Sequence, residues 1–286
     1  MKKIILLCAW ILGSSYQLPA QGNQSSLLWE ISGNGLSEPS YLFGTFHIMC
    51  KRDFRISDTL ENKLREVNRF FGELKLDDPA LQTKLMSRLL MTGNTLQTMI
   101  PELEYPVISK KFQAITGMPL LMLNNFKPFM SISLLALNSV SCKETVQPET
   151  EFLKLAEKYG IPVMGLETVD DQLSAIDKEP LDSQISSLKK TVMNFDSVKN
   201  VMTEMIAVYK SRNIDSLYRY MMQAGMSDDF ETSLLDKRNE NWVPIIEESI
   251  KKEPSFFAVG AGHLGGQKGV ISLLRMKGYQ LKPVMY

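Results

Sequence analysis

The chain has 286 residues, 44% of them apolar and 22% charged, and its 32 basic residues balance 32 acidic ones. That is the composition of a globular protein large enough for one large domain or two modest ones, and it excludes fibrous, low-complexity and strongly basic classes. A balanced charge offers no basic face for nucleic acid or for an acidic membrane, so neither is expected as a partner.

The first residues read as a secretory signal peptide over 1–20. Lys2 and Lys3 are followed by the apolar run Ile4 to Leu12 and then by Leu18-Pro19-Ala20, a small-residue end suited to cleavage after Ala20. The run is too short to span a bilayer, which takes about 20 apolar residues, and no later segment is long and apolar enough either. A buried N-terminal helix is the competing reading. The expectation is an exported protein, periplasmic or extracellular, whose mature part is a single domain over 21–286 with no transmembrane segment. Loss of Lys2 and Lys3 leaves 30 basic against 32 acidic residues, a net charge of −2. Cys8 leaves with the leader, so Cys50 and Cys142 remain. In an oxidising compartment they can pair; two separate buried thiols are the alternative. A bridge between them would close a long loop and contribute roughly 3–5 kcal/mol if unstrained.

Along the rest of the chain, Leu27 to Ile31 predicts a strand. Ser32-Gly33-Asn34-Gly35 predicts a tight turn and Ser40 to Phe46 a second strand, together a hairpin. Asp53 to Asn68 has helical periodicity with Ser57 or Asp58 as N-cap. Arg69 to Leu74 reads as a strand ending near Glu73, and Pro79 to Met91 as a helix. Leu96 to Asn138 is helical in character, broken at Pro101, Gly117-Met118-Pro119 and Pro128. Glu149 to Tyr159 predicts a helix closed by Gly160, and Pro162 to Met164 a short strand. Helical periodicity then returns over Asp170–Asp177, Ser183–Ser211, Asn213–Gln223 and Asp228–Lys252. The end of the chain reads as a strand (Ser255 to Val259), a glycine turn, a helix (Val270 to Met276) and a last strand (Tyr279 to Val284). The fold class is therefore α/β. A small sheet is built from N- and C-terminal strands, and a large, mostly helical section of roughly residues 79–252 lies between them.

The chain has only two histidines, His47 and His263. Each ends a glycine turn directly after a strand, in Gly44-Thr45-Phe46-His47 and Gly260-Ala261-Gly262-His263. Loops at the carboxyl ends of strands are where α/β sheets place ligands, and neutral imidazole is the commonest metal ligand. Glu73 and Glu167 also follow strand candidates. Two histidines with one or both carboxylates could supply a hydrolytic metal site. Two structural histidines at loop ends and two solvated glutamates are the competing reading. Arg238, on a predicted helix with Asn239, could bind a substrate carboxylate or hold one of the glutamates; Lys127 is a weaker candidate of the same kind. There is no H-E-x-x-H, no Walker motif and no Gly-x-Ser-x-Gly.

The stretches Leu28-Trp29-Glu30-Ile31-Ser32-Gly33, Tyr41 to His47, Gly165-Leu166-Glu167-Thr168, Arg238-Asn239 with Trp242, and Phe257 to Leu264 occur in this order across nearly the whole mature chain. Together they resemble the TraB/GumN family, which includes the TIKI proteases; the likeness is strongest to the exported GumN-like branch. The resemblance implies an α/β fold in which the two Gly-x-x-His turns meet across the sheet. It carries the family's histidines onto His47 and His263, its glutamates onto Glu73 and Glu167, and its Arg-Asn pair onto Arg238 and Asn239. The function implied is a metal-dependent hydrolase acting on a peptide or protein substrate. His47, His263, Glu73 and Glu167 are the metal-ligand candidates for Mn, Co or Zn, and Glu73, Glu167 and Arg238 the catalytic candidates. A non-catalytic peptide- or ligand-binding envelope protein using the same cleft is the alternative.

Overall fold

The computed structural model describes residues 25–224 and 231–286, so the leader expected over 1–20 lies outside the described residues. Six strands form the main sheet: β1 (Leu28–Ser32), β2 (Ser40–Thr45), β4 (Arg69–Gly72), β6 (Val163–Gly165), β7 (Ser255–Gly260) and β8 (Gln280–Val284). Their order is β6-β4-β7-β2-β1-β8. β6, β4, β7 and β2 are parallel neighbours, whereas β1 runs antiparallel to both β2 and β8. The predicted hairpin is present, and its turn works because Gly33, Asn34 and Gly35 all take positive φ. A second, two-stranded ribbon pairs β3 (Met49–Cys50) with β5 (Thr145–Val146). Sequence patterning gives no warning of it, because two-residue strands have no period to detect.

The central strands β2 and β7 are buried on both faces, and their sequences are accordingly largely apolar runs rather than alternations. Phe43, Phe70 and Phe256 share one face, where Phe152 of α6 (Pro148–Lys158) packs against them with ring centroids 5.1–6.3 Å apart. Phe71 and Phe257 stack at 4.9 Å, one residue out of phase and so on the other face. Three sheet rings packed against Phe152 are what fix α6, and with it Glu149, over the sheet.

The helical middle follows the expected breakers. α3 (Leu96–Met99) and α4 (Tyr105–Thr116) stop just before Pro101 and at Gly117, and α5 (Pro128–Asn138) starts at Pro128. With α8 (Leu181–Met193) they enclose a small core of their own, including Leu96, Ile108, Phe112, Leu135 and Leu188. Ser183–Ser211 is two helices rather than one: α8 ends at Asn194, and α9 (Phe195–Lys210) begins there. The Asp53–Asn68 pattern shrinks to α1 (Asp58–Arg65), capped by Ser57. The middle is not wholly helical either, since β6 rises from it to form one edge of the sheet. The remaining helices are α2 (Leu81–Leu89), α7 (Val169–Ile176), α10 (Ile214–Gln223), α11 (Lys237–Lys252) and α12 (Val270–Met276). No helix among the described residues is long and apolar enough to cross a membrane.

Candidate functional site

Four neighbouring parallel strands deliver the candidate residues to one edge of the sheet. His47 follows β2, Glu73 follows β4, Glu167 follows β6 and His263 follows β7. Parallel direction is the reason: every carboxyl end faces the same way, so four loops far apart in sequence open side by side.

Glycines let these loops close on one another. A β-carbon at Gly260 would lie 3.2 Å from Glu73 Oε1 and 3.6 Å from both the His263 and His47 rings, so the three side chains gather around that residue. A β-carbon at Gly165 would stand 2.6 Å from the Lys75 backbone nitrogen. Its absence lets the Glu167 loop hydrogen-bond to the Glu73 loop, with Glu167 N donating to Glu73 O at 3.0 Å.

His263 is buried. Its Nδ1 lies 2.7 Å from Asn239 Oδ1, an acceptor, so Nδ1 carries the proton and Nε2 holds the lone pair. That lone pair accepts from Arg238 Nη1 at 3.1 Å, and the ring packs on Trp242 at 4.4 Å between centroids. Burial dominates its titration and pushes the pKa down to about 3, so the ring is neutral. His47 is its opposite, with a side chain 74% exposed. Its Nδ1 lies 2.9 Å from Glu149 Oε1, and Nε2 has no protein partner among the described residues. The hydrogen bond to Glu149 raises its pKa to about 9.

Arg238 is the centre of the buried charge. Its Nη2 donates to Glu73 Oε2 and Glu167 Oε1, each at 2.6 Å, and its Nε reaches both Glu167 oxygens at 3.0–3.1 Å. Glu167 Oε2 also accepts from Trp242 Nε1 at 3.1 Å, so both of its oxygens are engaged. Burial outweighs these partners and raises the Glu167 pKa. Burial would likewise raise Glu73, but the neighbouring charge of Arg238 and the Gly260 N–H at 2.8 Å lower it. Its Oε1 stands 3.8 Å from His263 Nε2.

The structure therefore brings together His47, His263, Glu73, Glu167, Arg238 and Asn239. It does not bring Lys127, which pairs with Asp177 at 2.5 Å at the start of α5. Sequence reasoning missed Glu149, which sits in the first turn of α6 with Thr45 Oγ1 donating to it at 2.7 Å. Its only sequence signal was a place one residue beyond Pro148 at a helix start. Cys50 and Cys142 form a disulfide with their Cα atoms 5.8 Å apart, which resolves the alternatives that the sequence left open. A cavity of about 420 Å3, lined by Leu74, Lys75, Leu81, Arg88 and Thr168, opens against Glu167. A larger one of about 850 Å3 lies against β8 and α12 and touches none of the candidate residues.

The donor chemistry fits a divalent ion in kind: two imidazoles each fixed through Nδ1, and a buried carboxylate between them. Yet no three His, Cys, Asp or Glu side chains among the described residues converge closely enough to hold one as they stand. The obstacle is local. Arg238 occupies the lone pair of His263 and the Oε2 of Glu73.

A family model described as TraB/PrgY/gumN matches residues 27–283. The chain is 24% identical to Metalloprotease TIKI2 of Danio rerio over 92% of its own length and 62% of that protein's. It is 24% identical to the Metalloprotease TIKI homolog of Amphimedon queenslandica over 98% of its length and 66% of that protein's. It is 25% identical to Metalloprotease TIKI1 of Homo sapiens over 92% and 63%. The chain thus spans less than two thirds of these relatives' length. No solved structure matches it.

Proposed function

Because the chain belongs to the TraB/PrgY/gumN family, we propose that it is a metal-dependent hydrolase of peptide bonds, with its site at the four strand ends. The observation that carries this reading is the gathering of His47, His263 and Glu73 around Gly260. The names of the relatives, all metalloproteases, support it. The reading takes 21–286 as one domain, since the sheet needs strands from both ends of the chain. It takes the protein as exported, which the disulfide supports.

His47, His263 and Glu73 would hold the ion, which is Mn, Co or Zn; when bound it polarises a substrate carbonyl and lowers the pKa of water. The protein's own residues do the rest. Asn239 keeps the His263 lone pair on Nε2. Glu167, with both oxygens engaged, is better suited to holding Arg238 than to moving a proton. Arg238, released from Glu73 and His263 and retained by Glu167, can then face negative charge developing on substrate. The cavity beside Glu167 offers room for a substrate side chain.

Purified protein loaded in turn with Mn, Co and Zn should cleave members of a peptide library and stop with chelator. H47A and H263A should lose both bound metal and cleavage while remaining folded. Wild-type protein that binds none of the three ions overturns the reading. One observation favours a second reading, a non-catalytic peptide binder: Arg238 already pairs with both buried carboxylates without any ion. Saturable peptide binding with no cleavage under any metal would select it.

A further inference from the structure

We propose that Glu149 is a positioning residue for His47: it holds the proton of the ring on Nδ1 and leaves Nε2 as the donor nitrogen, and the Cys50–Cys142 disulfide keeps it in register. The consequence for metal uptake rests on the reading above; the positioning itself does not.

The geometry is that of an oriented imidazole. Glu149 Oε1 lies 2.9 Å from His47 Nδ1 and accepts from Thr45 Oγ1 at 2.7 Å. An ionised carboxylate can only accept, so the Nδ1 facing it must carry hydrogen. Thr45 Oγ1 and the His47 ring both converge on the same Oε1, so the carboxylate is placed as their common acceptor. Its side chain is 17% exposed against 74% for His47, so the carboxylate is the fixed partner and the ring the one being fixed. Thr45 ends β2 opposite Gly260 of β7, which ties this contact to the strands that carry His263 and Glu73. The start of α6 favours a negative side chain at this position. The two histidines are thereby held by unlike means at the same atom: Glu149 for His47, Asn239 for His263.

The short ribbon explains how residues 102 apart in sequence keep a hydrogen-bond register. Met49 pairs with Val146 and Cys50 with Thr145, and Lys51 N donates to Glu144 O at 3.0 Å. Two-residue strands are too short to hold alone. The disulfide crosses the same pair of segments, three residues after His47 and seven before Glu149. It clamps the His47 loop to the segment that leads into Glu149.

The test uses the full mature chain with 15N-labelled histidine, in chelator and then titrated with Zn. The His47 ring signals are assigned by their loss in H47A. Wild type should show an Nδ1 proton protected from exchange with water. E149Q should keep it, because the amide oxygen still accepts. E149A should lose it and bind Zn about 10–100-fold more weakly, the usual cost of removing such a partner. C50S/C142S should show intermediate protection. An unchanged ring signal in E149A, with a circular dichroism spectrum confirming the fold, overturns the proposal; so does wild-type Zn affinity in E149A. If wild type shows the protected proton but binds no Zn, Mn or Co, the positioning role stands and the hydrolase reading falls.

Discussion

His263 and His47 end turns of the same pattern and approach the same glycine, but one ring is sealed in and the other faces water. His263 meets a neutral amide at Nδ1, an aromatic face at Trp242 and a guanidinium at Nε2, and burial keeps it uncharged. His47 meets a carboxylate at Nδ1, and that carboxylate keeps it protonated to about pH 9. The turn therefore sets where an imidazole goes, and its surroundings set its charge: burial for His263, the Glu149 carboxylate for His47. A neutral buried ring is a ready donor, whereas a protonated ring must give up a proton before it can bind an ion, so uptake on the His47 side releases acid.

The contrast can be broken most severely from the buried side. Removing the guanidinium in R238A strands Glu73 and Glu167, whose side chains are 10% and 4% exposed. Leaving buried charges unpaired should cost about 3–5 kcal/mol in urea unfolding. A loss under about 1 kcal/mol, the range of an exposed pair, would mean that the carboxylates reach solvent and that the two sides differ less than described. The exposed side has its own large determinant. C50S/C142S should lose about 2–5 kcal/mol, and its effect on the ring signals should fall on His47 and spare His263.

The histidines themselves give the next step down. H263A removes a ring packed on Trp242 and leaves Asn239 Oδ1 without its donor, at about 1–3 kcal/mol. H47A removes an exposed ring and should stay within about 0.5 kcal/mol of wild type. Equal losses measured by chemical denaturation would remove the asymmetry.

How far sequence could see follows the same division. The strands carrying His47, Glu73, Glu167 and His263 were legible because each is an apolar run ending at a glycine, and that pattern also located the site edge. What joins them was legible only in part, in Arg238 as a candidate to hold one of the glutamates. Arg238 lies on a charged helix whose spacing is that of any solvated face, and nothing local says that its fork turns inward to two carboxylates. Glu149 belongs to a helix start already rich in acids, Glu149 and Glu151, so its contact with a ring 102 residues away is purely tertiary. The β3–β5 ribbon is too short to pattern, and only the two cysteines hinted that its strands meet. Position was local information; charge state was not.

The smallest effect sharpens the contrast most directly. The folded pKa of His47, about 9, lies above the ordinary value of about 6.5. The pair with Glu149 therefore contributes stability that is complete below about pH 6.5 and is lost as pH rises through about 9. In chelator, the stability gap between wild type and E149Q should narrow over that window, and it should be small throughout because the ring is open to solvent. The His47 titration in E149Q should fall toward the ordinary range while His263, which contacts neither residue 149 nor solvent, remains neutral. A His47 that titrates alike in both proteins would mean that the carboxylate does not set its charge, and the two turns would then differ only in burial.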